Sequence, residues 1–325
     1  MKFDCPRKEF FEAVSQAGAA VGIRSAQPLL LNLRIEASNG GIKVLGCDGE
    51  MWVERSAACM VHEPGTILLP ARLLVEIVSS MPDGDVQLRT LDGQGVMLQQ
   101  DASEYRMLSL DPADFPEPPD YGGEAEITLP MGELRHVVDS VSFAVSQDQH
   151  RQVLTGVLFN YNGKALTLVA TDTHFGVGRL GVEAGGARVV SQLLAGAFPN
   201  WERVVPGEVT RTWSLEVDQL RDRLKRANIL ARDNANRVRF SGKGDQILIS
   251  ARSEERGEAK EEVAMVADNG DLDIAFNCRY VIDALEPILG HGVRVEMTES
   301  SRPAVFKPAD DGSDYFCVIM PMALA

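Results

Sequence analysis

Asp172 and His174 alternate at the end of an apolar run, VATDTH, the arrangement in this 325-residue chain that most suggests chemistry. Residues two apart on a strand share a face, so a carboxylate and an imidazole there could orient a base or share a metal ion. Neither use is completed: no nucleophile motif and no third ligand at workable spacing accompanies the pair. The run GVGRLG from Gly176 has the look of a phosphate loop, yet no helical pattern follows whose amides could cap an anion. His62, His136, His150 and His291 are dispersed. Cys5, Cys47, Cys59, Cys278 and Cys317 lie mostly within apolar runs with no CxxC pair, which reads as small buried hydrophobes of a reducing compartment. No catalytic residue, metal or cofactor is expected.

Binding is better represented. A net charge of −15 argues superficially against a nucleic-acid partner, but the distribution is uneven. Acid gathers in Pro-rich segments and at Glu254, Glu255, Glu258, Glu261 and Glu262, whereas the helix predicted from Val217 carries Arg221, Arg223, Lys225 and Arg226. With Val217, Leu220, Leu224 and Ala227 at helical spacing against a sheet, Arg221 and Lys225 fall together on the face turned away from it. A solvated surface is the ordinary reading of one such helix. Arg24, Arg72, Arg135 and Arg279, at or near other predicted helices, add modestly to the case for a polyanion.

The elements that must position these residues repeat. MKFDCPRKEFFEAVSQAG from Met1, EITLPMGELRHVVDSVSFAV from Glu126 and TWSLEVDQLRDRLKRANIL from Thr212 each read as a short strand entering an amphipathic helix. An alternating apolar hairpin follows each one, turning at Asn39-Gly40-Gly41, Asn162-Gly163 or Gly242-Lys243-Gly244, where positive φ is needed. A second strand, helix and strand from Thr66 has apolar positions Leu74, Ile77, Val78 and Met81, and another from Leu272 has Val281, Ala284, Leu285 and Ile288. The middle repeat has only GVEAGGARVV where its second helix should stand, so it has lost about one helix and adjoining strand. An α+β chain of three helix-plus-antiparallel-sheet domains follows, at 1–123, 124–207 and 208–325, joined through DPADFPEPPDYGGE and FPNWERVVPGE. Lys2, Asp4, Arg7 and Lys8 interrupt any apolar leader, and no run has the length of a membrane span; a cytoplasmic protein with no membrane partner is expected.

Several segments, in order, resemble the bacterial DNA polymerase III beta subunits, the DNA sliding clamps: MKF, GIRSAQPLLLNL, LPARLLVEIV, SLDPADFP, ATDTH, FPNWERVVP, IAFNCRYVIDAL and VIMPMALA. The resemblance runs end to end apart from a gap near Gly185. It implies a DNA-clamp fold in which three similar domains form half of a closed ring, two copies meeting head to tail around duplex DNA with helices lining the hole and sheets outside. It implies a non-catalytic processivity factor whose partners are duplex DNA, the polymerase III catalytic subunit, the clamp loader, and other replication and repair proteins bearing a clamp-binding peptide. Phosphate attraction without base readout suits a ring that slides.

By the same resemblance Arg24 is a DNA contact, the basic helix faces the hole, and Gln147 and Gln149 lie in a loop that approaches DNA. Leu154, Thr171, His174, Pro199, Arg203, Val204, Val318, Met320, Pro321 and Met322 fall on a peptide pocket with Asn277, Tyr280 and Pro303 at its rim. Tyr105 and Met107 oppose Ile229 and Leu230 across the dimer contact. Thr173, His174, Phe175 and Gly176 stand where the family commonly has Gly-His-Arg-Leu, and Ala323 replaces a frequent basic residue, which implies a different peptide preference. The shortened middle repeat leaves ten helices for a ring where the family has twelve. A clamp-derived peptide-binding module that does not encircle DNA is the alternative, and an enzyme using Asp172 comes third.

Overall fold

In the computed structural model, which describes residues 1–120, 126–146, 155–170, 179–192, 201–253, 256–309 and 312–324, the first and last copies of the repeat correspond in strand order, whereas in the middle copy residues 126–130 lead into the helix at Met131 without pairing as the expected strand. The chain forms two compact units, Met1–Thr128 with Val177–Ala195, and Leu129–Gly176 with Gly196–Ala325.

In the first unit the strand Lys2–Pro6 enters α1 (Arg7–Gly18), and the strand Gly65–Pro70 enters α2 (Ala71–Ser80). Both helices begin directly after a proline, Pro6 or Pro70, with φ of −55°, so the ring sets the entry angle where a helix has no amide partner to lose. One antiparallel sheet runs Met60–Glu63, Lys2–Pro6, Asp85–Thr90, Gly95–Gln100, Ser103–Leu108. The other contains Met51–Ala57, Gly41–Cys47, Asn32–Ser38 and Gly65–Pro70. Phe10, Ala13, Val14 and Ala17 of α1 join Leu74 and Val78 of α2 in the core between them. A Cβ on Gly46 would sit 2.0 Å from the Ala17 carbonyl oxygen, so glycine there is what lets α1 approach the sheet.

In the second unit α3 (Met131–Ser142) precedes the hairpin Val157–Tyr161 and Leu166–Ala170. The strand Arg211–Glu216 then enters α4 (Val217–Ala231), and Leu272–Asn277 enters α5 (Cys278–Leu285). Sheet order Val266–Asp268, Arg211–Glu216, Gly292–Met297, Ala304–Pro308, Cys317–Ile319 reproduces the first sheet above. The order Gly257–Ala264, Gln246–Ser253, Arg237–Lys243, Leu272–Asn277 reproduces the second. Even the exits correspond: Leu110 bridges Leu68, and Met322 bridges Ala275, on equivalent strands. Side chains cap both later helices, Glu216 accepting from the Asp218 and Gln219 amides and Asn277 from that of Arg279.

Three features refine the expected layout. The hairpin Arg179–Ala184 and Ala187–Gln192, part of the shortened middle repeat, does not stand apart: Ala187–Gln192 pairs with Met51–Ala57, extending the second sheet of the first unit to six strands, and Val190 is buried opposite Trp52. The Pro-rich segment after Asp111 docks rather than running free, with Phe115 buried beside Leu30, Leu45, Cys47 and Leu68, and Glu117 paired with Arg34. Gly242 lies within its strand rather than in the turn, where Gly244 takes the positive φ of 62°. A Cβ on Gly242 would come within 2.6 Å of both the Gly270 oxygen and the Trp213 ring. It allows a large indole beneath the strand.

Candidate nucleic-acid and peptide interfaces

The basic helix folds as its spacing predicts: Val217, Leu220, Leu224, Ala227 and Ala231 are buried. Its four cations differ in what already holds them. Arg221 donates through Nη2 to the Leu285 carbonyl at 2.9 Å and through Nη1 to Asp218 at 2.7 Å, with Glu286 3.7 Å from its Nε. It closes the C-terminal end of α5, where free carbonyls favour a cation. The first unit has the same device, Arg7 of α1 donating to Val78 O and Ser79 O at the end of α2 while lying over the Phe11 ring. Arg226 makes a two-pronged bond to Glu261 at 2.8 and 2.9 Å, and Arg223 reaches the same carboxylate at 3.3 Å. These bonds, Arg226 first, hold the Glu261 carboxyl below its ordinary range. Lys225 is the loosest of the four, 4.0 Å from Glu286.

The other nominated cations are exposed. Arg24 follows α1, Arg72 sits in the first turn of α2, and among the described residues neither forms an ion pair. Arg135 of α3 and Arg279 of α5 lie 3.5 and 3.9 Å from Asp139 and Asp283, one turn along their own helices. Such exposed pairs are worth little and exchange readily for another anion. Thus Arg24, Arg72, Arg135, Lys225 and Arg279 are exposed and at most loosely paired, whereas Arg221, Arg223 and Arg226 hold neighbouring elements together.

The C-terminal residues nominated for the pocket lie on the last strand, Cys317–Ile319, and the segment after it. Cys317–Ile319 pairs with Ala304–Pro308, placing half-buried Val318 opposite Val305, next to half-buried Pro303. The Met322 amide donates to Ala275 O at 2.7 Å, on the strand that leads into α5, and Arg237 of the neighbouring strand donates to Ala323 O at 3.3 Å, so the last segment is strapped across both. Tyr315 OH donates to Ala284 O on that helix. Trp201, in the turn that also holds Arg203, lies 6.0 Å from the Phe316 ring. Met320, Tyr280 and Val204 are 60%, 59% and 52% exposed, and Pro321 and Met322 are half-buried. Asn277 spends its carbonyl oxygen on the cap of α5. Gln147, Gln149, Leu154, Thr171, Asp172, His174 and Pro199 lie outside the described residues. Among the described residues no group of three or more His, Cys, Asp or Glu side chains could hold a metal ion, and no helix is long and apolar enough to cross a membrane.

Two sheet edges complete the set. Ser103–Leu108 ends a sheet of the first unit, with Met107 buried, Tyr105 packed half-buried on the same core, and Leu108 turned outward at 74% exposure. Gly257–Ala264 ends a sheet of the second unit, flanked by α4, on which Ile229 is 58% exposed and Leu230 packs half-buried on the core. The period of two in EYRML places Tyr105 and Met107 on the inner face and leaves Leu108 as the outward apolar residue. That alternation was legible in the sequence and singles out Leu108, which the resemblance did not.

Three family models match in chain order: the DNA polymerase III beta subunit N-terminal domain at 1–119, its central domain at 128–177 and its C-terminal domain at 202–323. The chain belongs to the DNA polymerase III beta subunit family. The beta sliding clamp of Escherichia coli K12 is 27% identical over 367 aligned positions covering all of both proteins. Since this chain has 325 residues, gaps in it absorb the difference. The interval after 177 matches no central-domain positions, in keeping with a shortened middle domain. A sliding clamp from Pseudomonas aeruginosa, solved bound to griselimycin, superposes with a TM-score of 0.92 at 26% identity over all of both chains. The Bacillus subtilis clamp shares the fold, with a TM-score of 0.93 at 24% identity over all of both chains. The fold is the clamp fold, and the function is that of a DNA polymerase processivity clamp.

Proposed function

We propose that two copies of this chain close head to tail around duplex DNA, each contributing three domains, 1–123, 124–207 and 208–325, and that the ring tethers partners without chemistry of its own. The observation that carries this reading is the matched pair of open sheet edges at Ser103–Leu108 and Gly257–Ala264, each beside an exposed apolar side chain, Leu108 or Ile229. An edge strand invites backbone pairing with another chain, and two different edges on one chain give a head-to-tail contact.

Arg24, Arg72, Arg135, Lys225 and Arg279, with Gln147 and Gln149, meet phosphates in this reading. Exposed arginine and lysine side chains attract the backbone without reading bases. In this reading Val204, Tyr280, Phe316, Val318, Met320 and Met322 hold a short apolar peptide of the polymerase catalytic subunit, the clamp loader or repair proteins. Methionine suits such a surface because its thioether repacks around different side chains. A tether acts by effective concentration, so modest peptide affinity is enough. A cytoplasmic site of action follows from this role.

Topology tests the proposal. Loaded onto a nicked circular duplex, the protein is expected to remain bound through a salt wash, and to leave when the circle is cut once. Equal loss from both forms would overturn encirclement and favour a module that binds peptides alone.

A further inference from the structure

Cys5 and Cys59 face each other across two strands of the first unit. The register Phe3↔Val61 and Asp4↔Met60 between Lys2–Pro6 and Met60–Glu63, continued one residue, sets Cys5 opposite Cys59. Alternation puts both on the inner face: Phe3 and Cys5 are buried in the core of this unit, and Val61 and Cys59 pack half-buried against it, whereas Asp4 and His62 meet on the outer face at 2.7 Å. Directly opposed residues of an antiparallel pair have Cα atoms roughly 4.5–5.5 Å apart, within the span of about 4.4–6.8 Å that a disulfide bridges. We propose that these two thiols are a reversible oxidation site, in which a peroxide converts the pair to a Cys5–Cys59 disulfide that staples the edge strand Met60–Glu63 to the strand Lys2–Pro6.

The two sulfurs are unequal, which fixes the order of events. A hydrogen bond from the Cys5 thiol, aided by the Ile42 amide, lowers the Cys59 thiol against the opposing effect of burial; Cys5, its donor, is raised by the same contact and by burial. Cys59 is also the half-exposed member. Its thiolate sulfur attacks one peroxide oxygen, the O–O bond breaks, and Cys59 becomes a sulfenic acid as the other oxygen leaves as water. The Cys5 sulfur then attacks the Cys59 sulfur, the S–S bond forms, the S–O bond breaks, and the Cys5 proton leaves with that oxygen as a second water. Two thiols lose two electrons and two protons, and the peroxide is reduced to two waters. Cys278 and Cys317 are a contrast, their thiols pushed up to about 12 by burial.

The test uses the full-length protein treated with hydrogen peroxide in slight excess, then alkylated and digested. The expected product is a Cys5–Cys59 cross-linked peptide about 2 Da lighter than the sum of its reduced halves and reversed by dithiothreitol. Before oxidation, Cys59 should take iodoacetamide about tenfold or more faster than the other four cysteines. Cys5→Ser should stop at a sulfenic acid on Cys59 that dimedone traps, while Cys59→Ser should give no cross-link to Cys5. The wild-type map decides the matter even if a variant does not fold. Oxidation of Cys59 to sulfinic acid with Cys5 still free, or cross-links spread among all five cysteines, would overturn the proposal.

Discussion

Of the cations on α4, Arg221 and Lys225 share a helix face but not a role. Arg221 closes α5 through the Leu285 carbonyl, 64 residues away, while Lys225 stands in solvent. Reversing the charge at Arg221 should therefore lower stability by roughly 2 kcal/mol, since charged hydrogen bonds are lost and a glutamate meets the carbonyl end of a helix. Lys225→Glu should leave thermal unfolding unchanged and weaken salt-dependent retention on DNA. A melt of each variant beside its binding to duplex at two salt concentrations separates the roles; equal stability of the two would refute the assignment of Arg221. At the peptide site, Met320→Ala with Met322→Ala should weaken a polymerase-derived peptide by about 1–3 kcal/mol in titration calorimetry, with DNA retention intact. Periodicity told which residues of α4 face the sheet because 3.6-residue spacing is local. It set Arg221 beside Lys225 on the outward face but was silent on its partner, the Leu285 carbonyl, which is brought near by the packing of two helices.

At the scale of elements, the sequence declared its repeats through strand-helix-hairpin order, and sheet topology follows from that order. What it left open was allegiance. The hairpin at 179–192 completes a sheet of the first unit because Ala187–Gln192 finds an open edge at Met51–Ala57, and edge pairing is backbone chemistry that side-chain pattern scarcely records. The edge strand of the corresponding sheet in the second unit, Gly257–Ala264, is held by α4 through Glu261 and its arginines. Because the folded carboxyl of Glu261 is lowered, the stability it contributes is complete above the ordinary carboxylate pKa, near 4.3, and is lost as pH falls through the lower folded value. Dimer dissociation measured by sedimentation should accordingly steepen below about pH 4. Glu261→Gln should show the weaker dimer already at neutral pH, with a flatter acid limb. A variant whose acid limb matches the wild type would show that another carboxylate governs the edge.

For the whole molecule, the described residues contain five α-helices, so a ring of two copies has ten of them. The middle repeat keeps α3, with Ser140 the buried residue of that helix, and two hairpins, of which the one at 179–192 pairs into a sheet of the first unit. The contact proposed for closure draws on none of this, because Leu108 belongs to the first unit's sheet and Ile229 to α4. Both are apolar and outward, so an aspartate at either would place an uncompensated charge in an apolar contact while leaving the monomer's own core untouched. Leu108→Asp and Ile229→Asp should each halve the mass seen by light scattering at micromolar concentration and abolish retention on circular DNA, with thermal unfolding of the separated chain little changed. Met107→Asp should instead unfold the first unit, since Met107 is part of its core. Images of the wild type should show a closed ring that loses closure in both outward variants. A particle of monomer mass in the wild type, or a dimer that survives both aspartates, would place the contact elsewhere.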